Sequence, residues 1–264
     1  MKSLKKYWSI FQITLVNSLA YPGELVGRSL MILPFMWIFY QLWKVTFQAA
    51  GIDTINGMTL YSTMWYLMMA ETIELSRPQL ARTISENVKD GSIAYILNKP
   101  YSFLLYQFSN SMGETLFRAF TNALFGSVIV WWLVGPPPAP LGWLFALTAI
   151  LGTWILNFCI TCLIGLSAFL VEDVSSFMLI YQKLVFILGG FLIPLSFYPP
   201  WLQTIAKALP FAAMIYGPSQ LFIAPSTELF INVLLMQFIW IAILGSTLVF
   251  SYRRGVAYLT VNGG

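Results

Sequence analysis

The chain has 264 residues, no histidine, two cysteines and only 9% charged residues. Soluble domains carry about 25% charge, so water cannot cover most of this surface. That excludes a soluble globular enzyme and a disordered segment. Without imidazole there is no histidine metal ligand and no histidine acid–base catalyst. The two cysteines, Cys159 and Cys162, form a C-x-x-C inside the uncharged stretch 141–171. A redox or zinc role needs polar access and, for zinc, more ligands. The plainer reading is two small apolar residues on one helix face. A phosphate-cradling glycine loop, a zinc-protease motif and a nucleophile elbow are all missing. The three aspartates, Asp53, Asp90 and Asp173, fall in loops and offer no intramembrane acid pair. The chain is expected to be no enzyme and to hold no metal. Its 14 basic residues exceed its 10 acidic ones, but they form no long run or aromatic-lined stripe, which argues against nucleic acid.

What is abundant is apolar: 58% hydrophobic and 17% aromatic residues. The apolar segments are continuous and lack strand alternation, so they read as membrane helices and not as barrel strands. Six spans are expected, near 26–47, 58–76, 104–134, 141–171, 175–196 and 229–250. The fourth exceeds a bilayer's thickness and must tilt or protrude. Gly135 and the prolines through Pro140 enforce a tight external turn. Six of the 14 prolines fall in 194–225. That apolar but broken region reads as a hairpin of short helices dipping into the outer leaflet. Broken backbone at that depth must be covered by protein or line a cavity. With six spans, nine basic residues fall on the inner side and only Lys207 on the outer. This positive-inside bias puts both termini in the cytoplasm.

Residues 3–20 read as an amphipathic interfacial helix, with Leu4, Tyr7, Trp8, Phe11 and Leu15 at helical spacing. Lys2, Lys5 and Lys6 mimic a signal peptide, but Gln12, Thr14, Asn17 and Ser18 break the apolar region that would follow. Gly23 and Gly27 suit either helix packing or, preferably, a hinge. Glu24–Arg28 and Glu114–Arg118 have the favourable i, i+4 order, and Arg77 follows Glu74 by three. Helix-end ion pairs are the plain reading of all three. Lys183, two turns into span five, should snorkel or find a partner, because a central lysine costs roughly 2.5–3.5 kcal/mol. No inverted repeat is detectable.

The segment 71–101 is too patterned for a bare connector. Pro78 suits a first helical turn. Leu80, Ile84 and Val88 recur at i, i+4 and i+8, and Asp90-Gly91 reads as a stop. A helix over 78–91 with such a stripe should rest on lipid or on a partner protein. A solvated loop is the alternative.

The element DGSIAYILNKP at 90–100, the segment FLIPLSFYPPWLQTIAKALPF at 191–211 and the six-span layout together resemble ABC-2 type permeases, among them the viologen-exporter-like bacterial permease subunits. The resemblance covers essentially the whole chain. It implies an all-α integral membrane fold with one permease domain, 1–264, in the bacterial inner membrane. Residues 3–20 match the family's interfacial helix, 78–91 its coupling helix and 198–225 its external re-entrant helices. It implies two copies of a separate ABC ATPase, which bind ATP and magnesium, and a second permease, identical or homologous. This chain would hold no cofactor. Arg77, Leu80, Arg82, Ile84, Val88, Asp90 and Gly91 would couple to the ATPase, whose movement would pass to spans one, two and five. An exported amphiphile could slide past Trp37, Tyr40, Phe186 and Phe191, although aromatics at these positions could equally face lipid. A stand-alone secondary transporter or channel is the alternative function.

Overall fold

The computed structural model describes residues 2–20, 23, 27, 29–138, 140–171 and 173–262. Regular structure among them is helical, apart from one bridge between Ile55 and Met58. In chain order the helices are α1 Lys2–Ala20, α2 Ile32–Ala50, α3 Leu60–Leu75, α4 Leu80–Lys89, α5 Ser92–Leu97, α6 Phe103–Val134, α7 Pro140–Leu166, α8 Ser175–Leu188, α9 Pro200–Ala208, α10 Pro210–Met214, α11 Tyr216–Ile223 and α12 Thr227–Asn262.

Among the described residues, three helices are long and apolar enough to cross a membrane: Phe103–Val134, Pro140–Phe169 and Thr227–Ala257. The other three expected spans are helical but shorter, with 19, 16 and 14 residues in α2, α3 and α8. Local chemistry sets their ends. Gly51, at φ 64°, closes α2 and donates its N–H to Phe47 and Gln48 carbonyls. Thr59 and Ser62 form a reciprocal capping box at the start of α3. The reading of span five as 175–196 is corrected: α8 stops at Leu188. Gly190 turns the chain at φ 71°, and its carbonyl accepts a hydrogen bond of 2.7 Å from the Tyr66 hydroxyl. A Cβ there would lie 2.9 Å from Leu195 Cγ. Only glycine fits that conformation in that space.

The core forms around α3, which is buried without interruption from Thr63 to Ile73. A helix apolar on every side is wrapped by others, and α2, α6, α7, α8 and α11 all contribute to the cluster around it. The broken segment is covered as its exposed carbonyls require. Thr153 of α7 donates to the Met214 carbonyl at 3.0 Å, and Trp240 of α12 donates to that of Ala208 at 3.1 Å. Gln237 of α12 donates to both Ala149 and Ala213, at 2.8 and 2.9 Å.

The molecule has two distinct ends. At one, Asn56 bonds the Ser196 carbonyl and Tyr61 bonds that of Pro136. At the other, Lys6 bonds the Pro100 carbonyl, Tyr252 stacks on Phe103, and Gly255 lies against Phe169. Both terminal helices therefore reach the same end, which also carries α4 and α5. α1 differs from a helix resting alone at an interface. It runs alongside the start of α6, with Tyr7 at Ser102 and Thr14 at Asn110. A Cβ on Gly113 would lie 2.8 Å from the Phe11 carbonyl, which is why this approach is possible. Tyr7, Phe11 and Leu15 face α6 in part, while Leu4 and Trp8 stay exposed.

Candidate functional site

Helix α4 is short, and its two faces differ sharply. Leu80, Ala81, Ile84 and Ser85 are buried, whereas Arg82, Thr83, Glu86 and Lys89 are exposed. The apolar stripe expected to rest on lipid or on a partner instead rests on this chain. Leu80 and Ile84 join Phe158, Cys162, Leu166 and Phe169 in one cluster, with Val88 packed at its edge. Gly165 lets the two helices meet: a Cβ on it would lie 2.8 Å from Ile84 Cδ1 and 3.2 Å from Ala81 Cα. Pro140–Phe169 spans 30 residues, about 45 Å at 1.5 Å per residue, against a hydrocarbon core of about 30 Å. The surplus end of α7 is the wall that receives α4.

The outer face of this elbow is polar and held by short-range bonds. Arg82 pairs with Glu86 at 2.8 Å. Gly91, at φ 76°, makes the turn into α5, and Asp90 accepts the Ser92 N–H at 2.9 Å. Asp173 accepts from the Ser175 hydroxyl at 2.8 Å and from Lys89 at 3.4 Å. The Ser92 bonds hold the Asp90 carboxyl below the usual carboxylate range, and the Ser175 bonds, then Lys89, do the same for Asp173. Tyr95 projects outward beside them, 70% exposed, with Lys99 over its ring.

Next to the start of α4 lies a cavity of about 550 Å³, lined by residues of α3, α6, α7 and α8, by Arg82 of α4, and by Ser29, Met31, Arg77 and Gln79. Arg77 contacts Glu74 at 2.7 Å and stands over the Tyr181 ring at 5.1 Å. Arg118 pairs with Glu114 and donates to the Arg77 carbonyl at 3.0 Å. Tyr181 in turn donates to Asn157 at 2.9 Å. The ion pairs expected at 74–77 and 114–118 thus form, and the fold brings them together in one wall. The Glu24–Arg28 pair lies outside the described residues. Among the described residues, a side chain on Gly23 or Gly27 would meet nothing within 4 Å.

Among the residues expected to couple, Arg77 and Arg82 line the cavity, Leu80 and Ile84 are buried, Val88 is half-buried, and Arg82, Asp90 and Gly91 are exposed. The four aromatics of the expected pathway separate into two groups. Trp37 stacks on Trp132 at 6.2 Å and tilts against Tyr40, while Phe186 stacks on Phe191 at 4.7 Å. No ring contact among the described residues joins the groups. Lys183 is exposed, with its ammonium 5.7 Å from the Phe186 ring. Sequence reasoning missed Asn122, Asn157, Tyr181 and Gln237. The available signal was a lone amide within an apolar helical run, which must find a partner or a polar cavity.

Compared with known proteins, residues 30–263 match the family model described as ABC-2 family transporter protein. None of the curated proteins compared with the chain matches it. With nearly its whole length matched, and with three membrane-capable helices, the chain belongs to the ABC-2 family of transporter proteins and is a membrane transport component.

Proposed function

We propose that this chain is the transmembrane permease subunit of an ABC exporter, driven by a separate ATPase at the charged end. The observation that carries this reading is the two-faced seat of α4. Its apolar face is fixed on α7, and its charged face points away from the bundle. A push on Arg82, Glu86 or Tyr95 therefore moves α4 against α7 and, through residues 76–79, pulls on α3. In this reading Leu80, Ile84 and Val88 serve coupling by holding the helix, and Arg77, Asp90 and Gly91 shape its ends. Two ATPase copies bind ATP and magnesium, and a second permease, identical or homologous, completes the pathway. Trp37, Tyr40, Phe186 and Phe191 remain the proposed apolar walls for an amphiphilic substrate.

The proposed layout has six crossings with both termini in the cytoplasm of a bacterial inner membrane. Support comes from the shared end of the terminal helices and from the basic residues gathered there: Lys5, Lys6, Arg82, Lys89, Lys99, Arg253 and Arg254. α1 then lies at the inner interface, and α9–α11 form the external re-entrant segment. The test is co-purification of the full chain with its ATPase, followed by nucleotide-driven transport in proteoliposomes. Arg82→Glu with Tyr95→Ala should lose the ATPase while the permease itself remains folded. Transport by the chain alone, driven by an ion gradient without nucleotide, would establish a secondary transporter or channel instead.

A further inference from the structure

The cavity beside α4 holds more hydrogen-bonding capacity than the protein satisfies. Nε of Arg77 and Nε of Arg118 are buried N–H donors without an acceptor. Asn122 Oδ1 is a buried acceptor without a donor, and Glu74 Oε2 receives only the unaligned 2.7 Å contact from Arg77. Burying polar groups with their hydrogen bonds unmade is costly, so their gathering in one wall calls for a common explanation. Among the described residues the formal charge there is balanced: Arg77 with Glu74, Arg118 with Glu114, Arg82 with Glu86. Glu71 is buried a turn deeper on α3. A simple anion would meet these carboxylates, and a simple cation would meet the guanidinia. Met31, Leu75 and Met178 give the lining one apolar side, between the polar groups of Ser29, Gln79, Thr161 and Gln182. The volume, about 550 Å³, falls among ligand cavities of roughly 300–1,000 Å³.

We infer that this cavity binds a zwitterionic headgroup with an anionic phosphate and an ammonium that still carries N–H. The phosphate oxygens accept from the free Nε–H groups of Arg77 and Arg118, as charge-assisted hydrogen bonds. The ammonium donates to Asn122 Oδ1 and Glu74. The apolar lining takes the first carbons of an attached chain. The inference is independent of the ATPase reading, since binding requires no nucleotide.

The test uses the purified full chain in nanodiscs and in detergent, with bound lipid counted by native mass spectrometry. Phosphatidylethanolamine, phosphatidylcholine and phosphatidylglycerol are offered in turn. Phosphatidylcholine has the same charges but no ammonium N–H, so ethanolamine should win by about tenfold or more. Free phosphoethanolamine, added as competitor, identifies the source. Displacement at concentrations comparable with the lipid points to a soluble ligand, and failure to displace points to the membrane. Arg77→Gln and Asn122→Leu should each reduce the ethanolamine preference towards unity, while Lys207→Gln at the opposite end should not. Equal retention of ethanolamine and choline lipids by the unmodified chain would overturn the inference, even if both variants failed to fold. Preference for phosphatidylglycerol, or an ethanolamine preference that survives in folded variants, would overturn it as well.

Discussion

Ile84 of α4 lies in the notch that Gly165 leaves in α7, with its Cδ1 2.8 Å from where a glycine Cβ would stand. Helix α4 therefore does not need a partner to cover its apolar stripe. Ile84→Ala should cost about 2–5 kcal/mol, because a fully buried side chain leaves a cavity. Gly165→Val should cost about 1–3 kcal/mol by pushing α4 out of its seat. Arg82→Ala, on the outer face, should stay within about 0.5 kcal/mol. Thermal unfolding of the purified chain checks all three. Equal losses at Ile84 and Arg82 would mean that α4 is not seated on α7.

Gln237 ties three elements with one amide. Its Nε2 reaches the carbonyls of Ala149 in α7 and Ala213 in α10. Gln237→Leu removes the tie but introduces no charge. Gln237→Glu leaves at most one O–H to serve two carbonyl oxygens, and none if the carboxyl ionises. The expected order of melting temperature is native, then Leu, then Glu, with the Leu variant about 1–2 kcal/mol down. A glutamate variant as stable as the native chain would show that the broken segment is held by packing alone.

Two aspartates make the α4–α5 elbow sensitive to acid. Bonds from Ser92 lower the Asp90 pKa, and bonds from Ser175 with Lys89 lower that of Asp173. A carboxylate whose folded pKa is depressed stabilises the fold above its unfolded value, about 3.9. That contribution falls away as pH drops through the lowered folded value. The protection of amides in residues 88–95 and 173–177, measured against the intrinsic exchange rate at each pH, should therefore hold at neutral pH and fall below about pH 4. Asp90→Asn and Asp173→Asn should flatten that dependence, each at its own segment. An unchanged profile in both variants would remove these caps from the account.

Much of the layout was legible in the sequence because lipid imposes simple demands. Long apolar runs must be helices, and α6, α7 and α12 arise within about two residues of their expected starts. Asp90 and Gly91 end α4 as expected from backbone chemistry, whereas Pro78, read as its first turn, precedes the N-cap Gln79, and the helix spans Leu80–Lys89. The proline spacing of 194–225 marked a broken segment, and three short helices occupy it. The end of α8 was not legible, because the decisive fact is a hydrogen bond across 124 positions from Tyr66 to Gly190. A charge such as Lys183 stands out in an apolar run, whereas a single amide such as Asn122 or Gln237 signals that it needs a partner without saying which one.

Composition by itself determined that this chain lives in lipid, because 9% charged residues cannot present a wet surface. Periodicity determined that α4 has an apolar side. Only the tertiary structure decided what that side touches, since the surplus length of α7 and the missing side chain of Gly165 are far from it in sequence. The same holds for the cavity. Arg77, Arg118 and Asn122 are ordinary residues on separate helices, and only packing brings their unmet hydrogen bonds into one wall.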